Sequence, residues 1–282
     1  MCDPFRRYKL KTMPNTQYEY LDNYLAELRS QGRYTFEADE VIKRFQLSDN
    51  AFKKTMQRLL RKNRISRLRK EFYLIIPPEF SAIQTLPLDY FVNDLMKFLK
   101  RDYYVGLLTA AMYHGAAHQQ PQSQFVVTEP PSLRPIKNRQ QSVVFCLKKK
   151  WDRQDVSRKK TDAGYINISN PELTALDLIF YADRIGGLNR AATVLSELAL
   201  ELKPDQLFET AGRFSQTTTL QRLGYLLDEI VDEHELSDAL FGALNVRNFY
   251  TTELSPNAGI ENQQAPNRWK VIPNISIEPD DI

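Results

Sequence analysis

The sequence predicts an α+β protein that is mostly α. An N-terminal winged helix-turn-helix leads into a larger domain, mixed α/β at first and then helical. Three observations point there. Residues 17–76 read helix, helix, turn, helix, hairpin within about 60 residues, the layout of a winged helix. Valine-rich runs follow, and after them come several stretches of helical periodicity. Charge is segregated: Lys43 to Lys70 holds eleven basic residues against Asp49 alone, while the 282-residue chain totals only +3.

Residues 17–30 form the first predicted helix, since Leu21, Tyr24, Leu25 and Leu28 recur at i, i+3, i+4 and i+7. Gly32 stops it. A short helix over Glu37–Phe45 turns Val41, Ile42 and Phe45 inward. Gln46-Leu47-Ser48 is a turn, and Ser48 is a suitable N-cap for a third helix from Asp49 to about Asn63. Ile65–Leu68 and Phe72–Ile76 read as strands, with Arg69-Lys70-Glu71 at the hairpin tip.

On a helical wheel with Phe52 at zero, Thr55, Met56, Leu59 and Leu60 fall within about 80° of it and make the core face. Asn50, Lys54, Gln57 and Arg61 lie within about 40° of the opposite direction, with Arg58 just beyond. This outward face presents amides and cations. Asn and Gln bond adenine edges and Arg grips guanine in the major groove. Lys53, Lys62 and Arg64 flank it, placed to neutralise phosphates, and Arg67, Arg69 and Lys70 lie where a wing touches backbone or minor groove. Ordinary surface helices mix both signs of charge.

Pro77-Pro78 ends the hairpin. Residues 1–78 are thus a DNA-binding unit, 79–87 a linker, 88–250 a second domain and 251–282 an acidic, Pro- and Asn-rich tail that is extended or loosely packed. In the second domain Asp89–Lys100 is amphipathic, with Phe91, Leu95 and Phe98 or Leu99 inward. Tyr104–His114 reads as one apolar helix ended by Gly115. Phe125–Thr128, Ser142–Leu147 and Ile166–Ser169 read as strands, and Glu129–Gln141 as a loop or poorly ordered hairpin. Pro171 opens a helix with Leu173, Leu176, Ile179 and Phe180 on one face. Arg190–Leu202, Pro204–Phe214, Leu220–Val231 and Leu236–Leu244 continue as helices. A second basic cluster, Lys148, Lys149, Lys150, Arg153, Arg158, Lys159 and Lys160, carries +5 against Asp152 and Asp155. It is a candidate second polyanion surface or a solvated face.

Several function classes are excluded. No apolar run approaches the roughly 20 residues that span a bilayer. No secretory signal is visible, and two cysteines, Cys2 and Cys146, make neither a disulfide framework nor a zinc cluster, so a reducing cytoplasm is expected. His114 and His118 have i, i+4 spacing, but Gly115 interrupts the helix and no third ligand is evident; a histidine closing a helix C-terminus is the better reading. His234 reads as a surface residue. Asp228, Glu229, Asp232 and Glu233 read as a solvated face. There is no phosphate loop or nucleophile elbow, and Gly186-Gly187 reads as a turn. The chain is read as no enzyme, with no catalytic residue, metal or cofactor.

The strings from Met56 to Ile75, Tyr104 to Gly115, Phe125 to Thr128 and Ile168 to Leu178, in that order, resemble the AbiEi family, the antitoxin half of bacterial type IV AbiE toxin–antitoxin systems, which act in phage defence. The resemblance covers about Gln17 to Leu244. It implies a transcriptional autoregulator whose N-terminal domain binds inverted repeats in its own promoter. It also implies a C-terminal domain that counteracts a neighbouring nucleotidyltransferase-like toxin without a stable complex. A protein-interaction module built on the same winged helix, without sequence-specific DNA binding, stays open as an alternative. An RNA-processing or nucleotidyltransferase-related enzyme would carry paired carboxylates on a strand, and none is seen.

Overall fold

The computed structural model describes residues 16–116, 122–137, 142–259, 265 and 267–279; Cys2 and His118 lie outside them. Among the described residues are eleven α-helices and eleven strands, and the chain divides into two compact units, Met1–Phe91 and Val92–Ile282.

The first unit runs α1 (Thr16–Ser30), β1 (Thr35–Glu37), α2 (Ala38–Phe45), α3 (Asp49–Arg61), β2 (Ile65–Arg69) and β3 (Phe72–Ile75). β3 is the middle strand, antiparallel to β1 on one side and β2 on the other. Leu21, Leu25 and Leu28 of α1, Val41 of α2 and Met56 and Leu59 of α3 close one core over Phe36, Ile65 and Ile75. Glu40 accepts hydrogen bonds from Tyr24 Oη and Arg33 Nη2, tying α2 to the end of α1. Burial and then Glu40 push the Tyr24 hydroxyl up to about 12, so it remains a donor. The segment expected to be a linker is structured: Pro78–Phe80 is a 3₁₀ turn, Thr85 and Leu86 are buried, and the Tyr90 ring meets Tyr34 and Phe80 edge-on at 4.8 and 5.8 Å. Its apolar residues explain why it packs onto the first unit.

The second unit opens with α4 (Val92–Phe98), β4 (Tyr103–Val105), α5 (Leu107–Tyr113), β5 (Ser123–Thr128), β6 (Ile136–Lys137), β7 (Ser142–Leu147), β8 (Val156–Thr161) and β9 (Gly164–Ser169). The strands form one six-stranded sheet in the order β6-β7-β5-β4-β9-β8. Register aligns Tyr104, Val127 and Cys146 in one row across three strands, and all three enter the core beneath α5 and α6. The single helix expected over Tyr104–His114 is therefore a strand and a shorter helix. Gly106 marks the break: a Cβ there would lie 3.0 Å from Val127 Cγ2 and 3.1 Å from Tyr104. On α4, Val92 and Met96 are buried with Leu95, whereas Phe98 and Leu99 are only half-buried.

The helical half comprises α6 (Pro171–Phe180), α7 (Ala182–Ile185), α8 (Leu188–Leu198), α9 (Pro204–Arg213), α10 (Thr217–Glu229) and α11 (His234–Asn245). Asn170 caps α6 through Leu173 N–H at 2.7 Å, and Pro171 takes the first helical position. Glu172 through Ile179 are all buried, so α6 is a central helix rather than a one-faced one; Phe180 is exposed.

The described part of the tail is not loosely packed. Two short parallel strands, β10 (Thr252–Glu253) and β11 (Val271–Ile272), bring Leu254, Trp269 and Val271 into the same core. Buried Gln221 of α10 donates to the carbonyls of Tyr250 and Trp269 at 2.8 and 2.7 Å. Trp269 lies over Gly224, where a Cβ would sit 2.1 Å from the ring. Asp228 accepts from Arg268 and from Trp269 Nε1, so this carboxylate is a clamp rather than part of a solvated face. Residues 260–264, 266 and 280–282 lie outside the described part.

Candidate nucleic-acid interface

α3 starts as its sequence requires. Gln46, in the left-handed region at φ 49°, turns the chain after α2, and Ser48 Oγ accepts the Ala51 N–H at 3.3 Å. Phe52, Thr55, Met56 and Leu59 are buried, so the opposite face points outward. Asn50, Lys53, Lys54, Gln57, Arg61, Lys62 and Arg64 are all exposed. Asp49 is the only acid on α3, and it sits in the first turn, where a carboxylate meets the positive end of the helix.

Arg58 departs from the expectation. It is half-buried, its side chain 26% exposed, with Nη2 4.0 Å from Asp22 Oδ2 of α1. Arg64 Nη2 lies 3.8 Å from the other oxygen of Asp22. The wheel places Arg58 at the edge of the outward face, where the long side chain comes within reach of Asp22 on α1. Arg58 is thus less exposed than its neighbours Asn50, Lys54, Gln57 and Arg61.

Between β2 and β3 the register skips Leu68, pairing Arg67 with Tyr73 and Arg69 with Phe72. Lys70 and Glu71 form the tip, with Glu71 in the left-handed region at φ 66° and the Lys70 ammonium 3.6 Å from its carboxylate. Arg67 and Lys70 are exposed and Arg69 is half-buried. The sequence did not reveal β1. Its one signal is the aromatic and β-branched string Tyr34-Thr35-Phe36, too short to stand out.

The second basic cluster is dispersed by the fold. Lys148 is a core group: its Nζ donates to Asp177 Oδ1 at 2.7 Å, with the two side chains 9% and 0% exposed, and lies 4.2 Å from the Phe214 ring centre. Tyr104 Oη donates to the other Asp177 oxygen at 2.6 Å; burial, then Asp177, pushes this hydroxyl far up and keeps it a donor. Lys159 Nζ donates to the Tyr113 carbonyl at 2.5 Å, at the end of α5. Arg158 lies over the Tyr165 ring at 4.8 Å. Lys149, Lys150, Arg153 and Lys160 are exposed. A single basic face over Lys148–Lys160 is therefore not formed, because β8 alternates its side chains across the sheet and two of the lysines are used internally.

His114, His234 and Cys146 lie among the described residues. His114 caps α5 and its Nε2 lies 2.8 Å from the Ser169 carbonyl, which fixes Nε2 as the donor; burial lowers its pKa. His234 is exposed and pairs with Asp228 and Asp232. Burial pushes the Cys146 thiol up to about 11, an unreactive state. Among the described residues no group of three or more His, Cys, Asp or Glu is placed to hold a metal, and no helix is long and apolar enough to cross a membrane.

The chain is similar over 91% of its length, and 90% of the other chain, to a crystal structure of the RV2827C protein from Mycobacterium tuberculosis, with a TM-score of 0.65 and 17% identity. At that identity the likeness concerns the fold. A comparison with curated proteins gives no match. Residues 104–229 match the model of the AbiEi antitoxin C-terminal domain, from β4 through α10. Over residues 104–229 the chain is thus similar to an AbiEi antitoxin C-terminal domain, which supports an antitoxin role.

Proposed function

We propose that this chain is the antitoxin of a toxin–antitoxin pair, with a toxin partner, and also a sequence-specific DNA-binding repressor of its own operon, acting in the cytoplasm. In this reading the first unit is a winged helix-turn-helix. α3 enters the major groove and the β2–β3 hairpin is the wing. Asn50, Lys54, Gln57 and Arg61 read base edges, Lys53, Lys62 and Arg64 meet phosphates, and Arg67, Arg69 and Lys70 grip the backbone beside them. The observation that carries the proposal is the outward face of α3, where amides and cations stand exposed with no carboxylate among them. Type IV behaviour, a role in phage defence, inverted repeats as the operator and a nucleotidyltransferase-like toxin partner, neutralised without a stable complex, complete the reading. They rest on the family resemblance.

A gel shift of the purified protein on DNA upstream of its own gene, against scrambled DNA at two salt concentrations, tests the repressor reading. Selective binding that weakens with salt is expected. Unselective or absent binding overturns it and favours a protein-interaction module.

A further inference from the structure

We propose that Trp151 is the stacking platform of a second nucleic-acid site, specific for single strands, in the unit that begins at Val92. Trp151 is half-buried, with its ring edge-on to Tyr104 at 5.2 Å between centroids. It lines two clefts of about 470 and 380 Å³. Both fall in the range of about 300–1,000 Å³ that receives a compact ligand, room for one nucleotide each.

The first cleft is cationic. Arg101 is held by the carbonyls of Glu129 and Pro131 at 2.6 and 2.8 Å, which fixes the guanidinium without neutralising it. Arg153 lies 3.6 Å from Asp102, with the side chains 91% and 69% exposed, a screened pair that leaves its charge available. Lys97 is exposed and forms no ion pair among the described residues. In the second cleft Lys148 and Arg213 are matched by the buried carboxylates of Asp177 and Asp155, so Lys150 supplies the available charge beside an apolar wall of Leu173 and Phe214. Asp152, the remaining acid there, accepts the Gln154 N–H at 2.9 Å.

An indole between two clefts with cations at their rims suits successive bases whose phosphates pass the cations. A duplex buries its base faces in its own stack and offers none to an indole, whereas an unpaired strand offers one per nucleotide. The occupant is therefore a single strand. The site shares no residue with α3, to which the repressor reading assigns the base edges.

The test uses the full chain and an oligonucleotide of about eight residues, within the range one such site engages. Oligouridylate and oligodeoxyuridylate are the two arms, with uridine monophosphate and a hairpin duplex as comparisons. The chain has two tryptophans, and Trp269 is fully enclosed, so quenching on addition of oligonucleotide reports Trp151. Saturable, salt-sensitive quenching is expected, and the tighter arm identifies the sugar. Trp151→Leu should abolish the quench and weaken binding of a labelled oligonucleotide about tenfold, while Trp151→Phe retains most of it. Because Trp151 packs on Tyr104, a surface pair, Lys97→Glu with Lys150→Glu, provides a second variant and should weaken binding at least as much. Lys54→Ala and Arg61→Ala should leave single-strand binding unchanged, and Trp151→Leu should leave duplex binding unchanged, which separates this site from the repressor reading. Wild-type binding in either the Trp151→Leu or the charge-reversed protein overturns the proposal. So does absent quenching, or mononucleotide binding as tight as that of the strand.

Discussion

Asp228→Asn should loosen the C-terminal segment from the second unit. Asp228 accepts from Arg268 Nε and Nη2 at 2.8 and 2.9 Å, from Trp269 Nε1 at 2.8 Å and from Ser237 Oγ at 2.5 Å. Burial by itself would raise the carboxyl, but these donors and His234 hold it at about 2, against an ordinary 3.8. At about 1.36 kcal/mol for each tenfold change in proton affinity, the fall from 3.8 to about 2 gives about 2–2.5 kcal/mol of native-state stability. The hydrogen-bond route agrees: bonds to a charged acceptor contribute about 1.5–3 kcal/mol, and the amide keeps only part of them. For a unit of this size the melting temperature should fall by about 5–10 °C. Thermal unfolding followed by tryptophan emission in a Trp151→Phe background, where Trp269 is the remaining tryptophan, measures it. A depressed carboxyl gives stability that is present above pH 3.8 and is lost as pH falls through about 2. The gap between wild type and variant should therefore be wide at neutral pH and close between about pH 4 and pH 2. A gap that persists unchanged at pH 2, or no gap at pH 7, would refute the clamp.

Other outcomes follow from the same geometry. Lys148→Met strands the fully buried Asp177 and should cost about 3–5 kcal/mol in urea unfolding; a near-neutral result would return Lys148 to the surface role its sequence suggests. Burial raises the Glu172 carboxyl above its ordinary 4.5, so its stability contribution is complete below that pH and is lost as pH rises through the raised value; Glu172→Gln keeps the acceptor for Lys203 N–H and should match wild type in acid but exceed it at pH 8. Gly224→Ala forces a Cβ into the Trp269 ring and should destabilise by about 1–3 kcal/mol, with Trp269 emission shifted to the red in the folded protein. Under the repressor reading, Lys54→Ala or Arg61→Ala should cost about 1–3 kcal/mol on operator DNA and relax sequence preference. Arg69→Ala should weaken all DNA alike and flatten the salt dependence; an equal loss on random DNA from the α3 variants would sink base reading.

The first unit was legible because its signals are local. Ser48 caps α3, a 3.6-residue period separates Phe52 and Met56 from Asn50 and Lys54, and a basic hairpin tip follows. Each is set within a few residues. The second unit hides its strands for physical reasons. Tyr103–Val105 is short and merges with the apolar helix after Gly106, so only the packing of that glycine against Val127 shows the break. β8 is a sheet edge carrying Arg158, Lys159 and Lys160; charges on an edge strand block further pairing, and in sequence they read as a charge run. Trp269 and Val271 lie in a polar, acidic segment, and their burial depends on Gly224 and Asp228, more than 40 residues upstream. Nothing near them announces it.

Charge counted along a chain is thus a weaker guide than charge counted on a face. The Lys43–Lys70 run stays at the surface because a helix and a hairpin hold most of it outside one small core. The Lys148–Lys160 run crosses a buried carboxylate, a helix terminus and a strand that alternates its side chains, and only part of it reaches solvent. What that second region gains instead is Trp151, between cations drawn from Lys97, Arg101 and Arg153 on one side and Lys150 on the other. A helix of amides and guanidinium groups engages base edges, which a duplex displays in its groove. An indole engages base faces, which a duplex hides. Under the two proposals the surfaces therefore call for different forms of nucleic acid. Substitutions in one should leave the other's ligand bound, a separation that no reading based on net charge would produce.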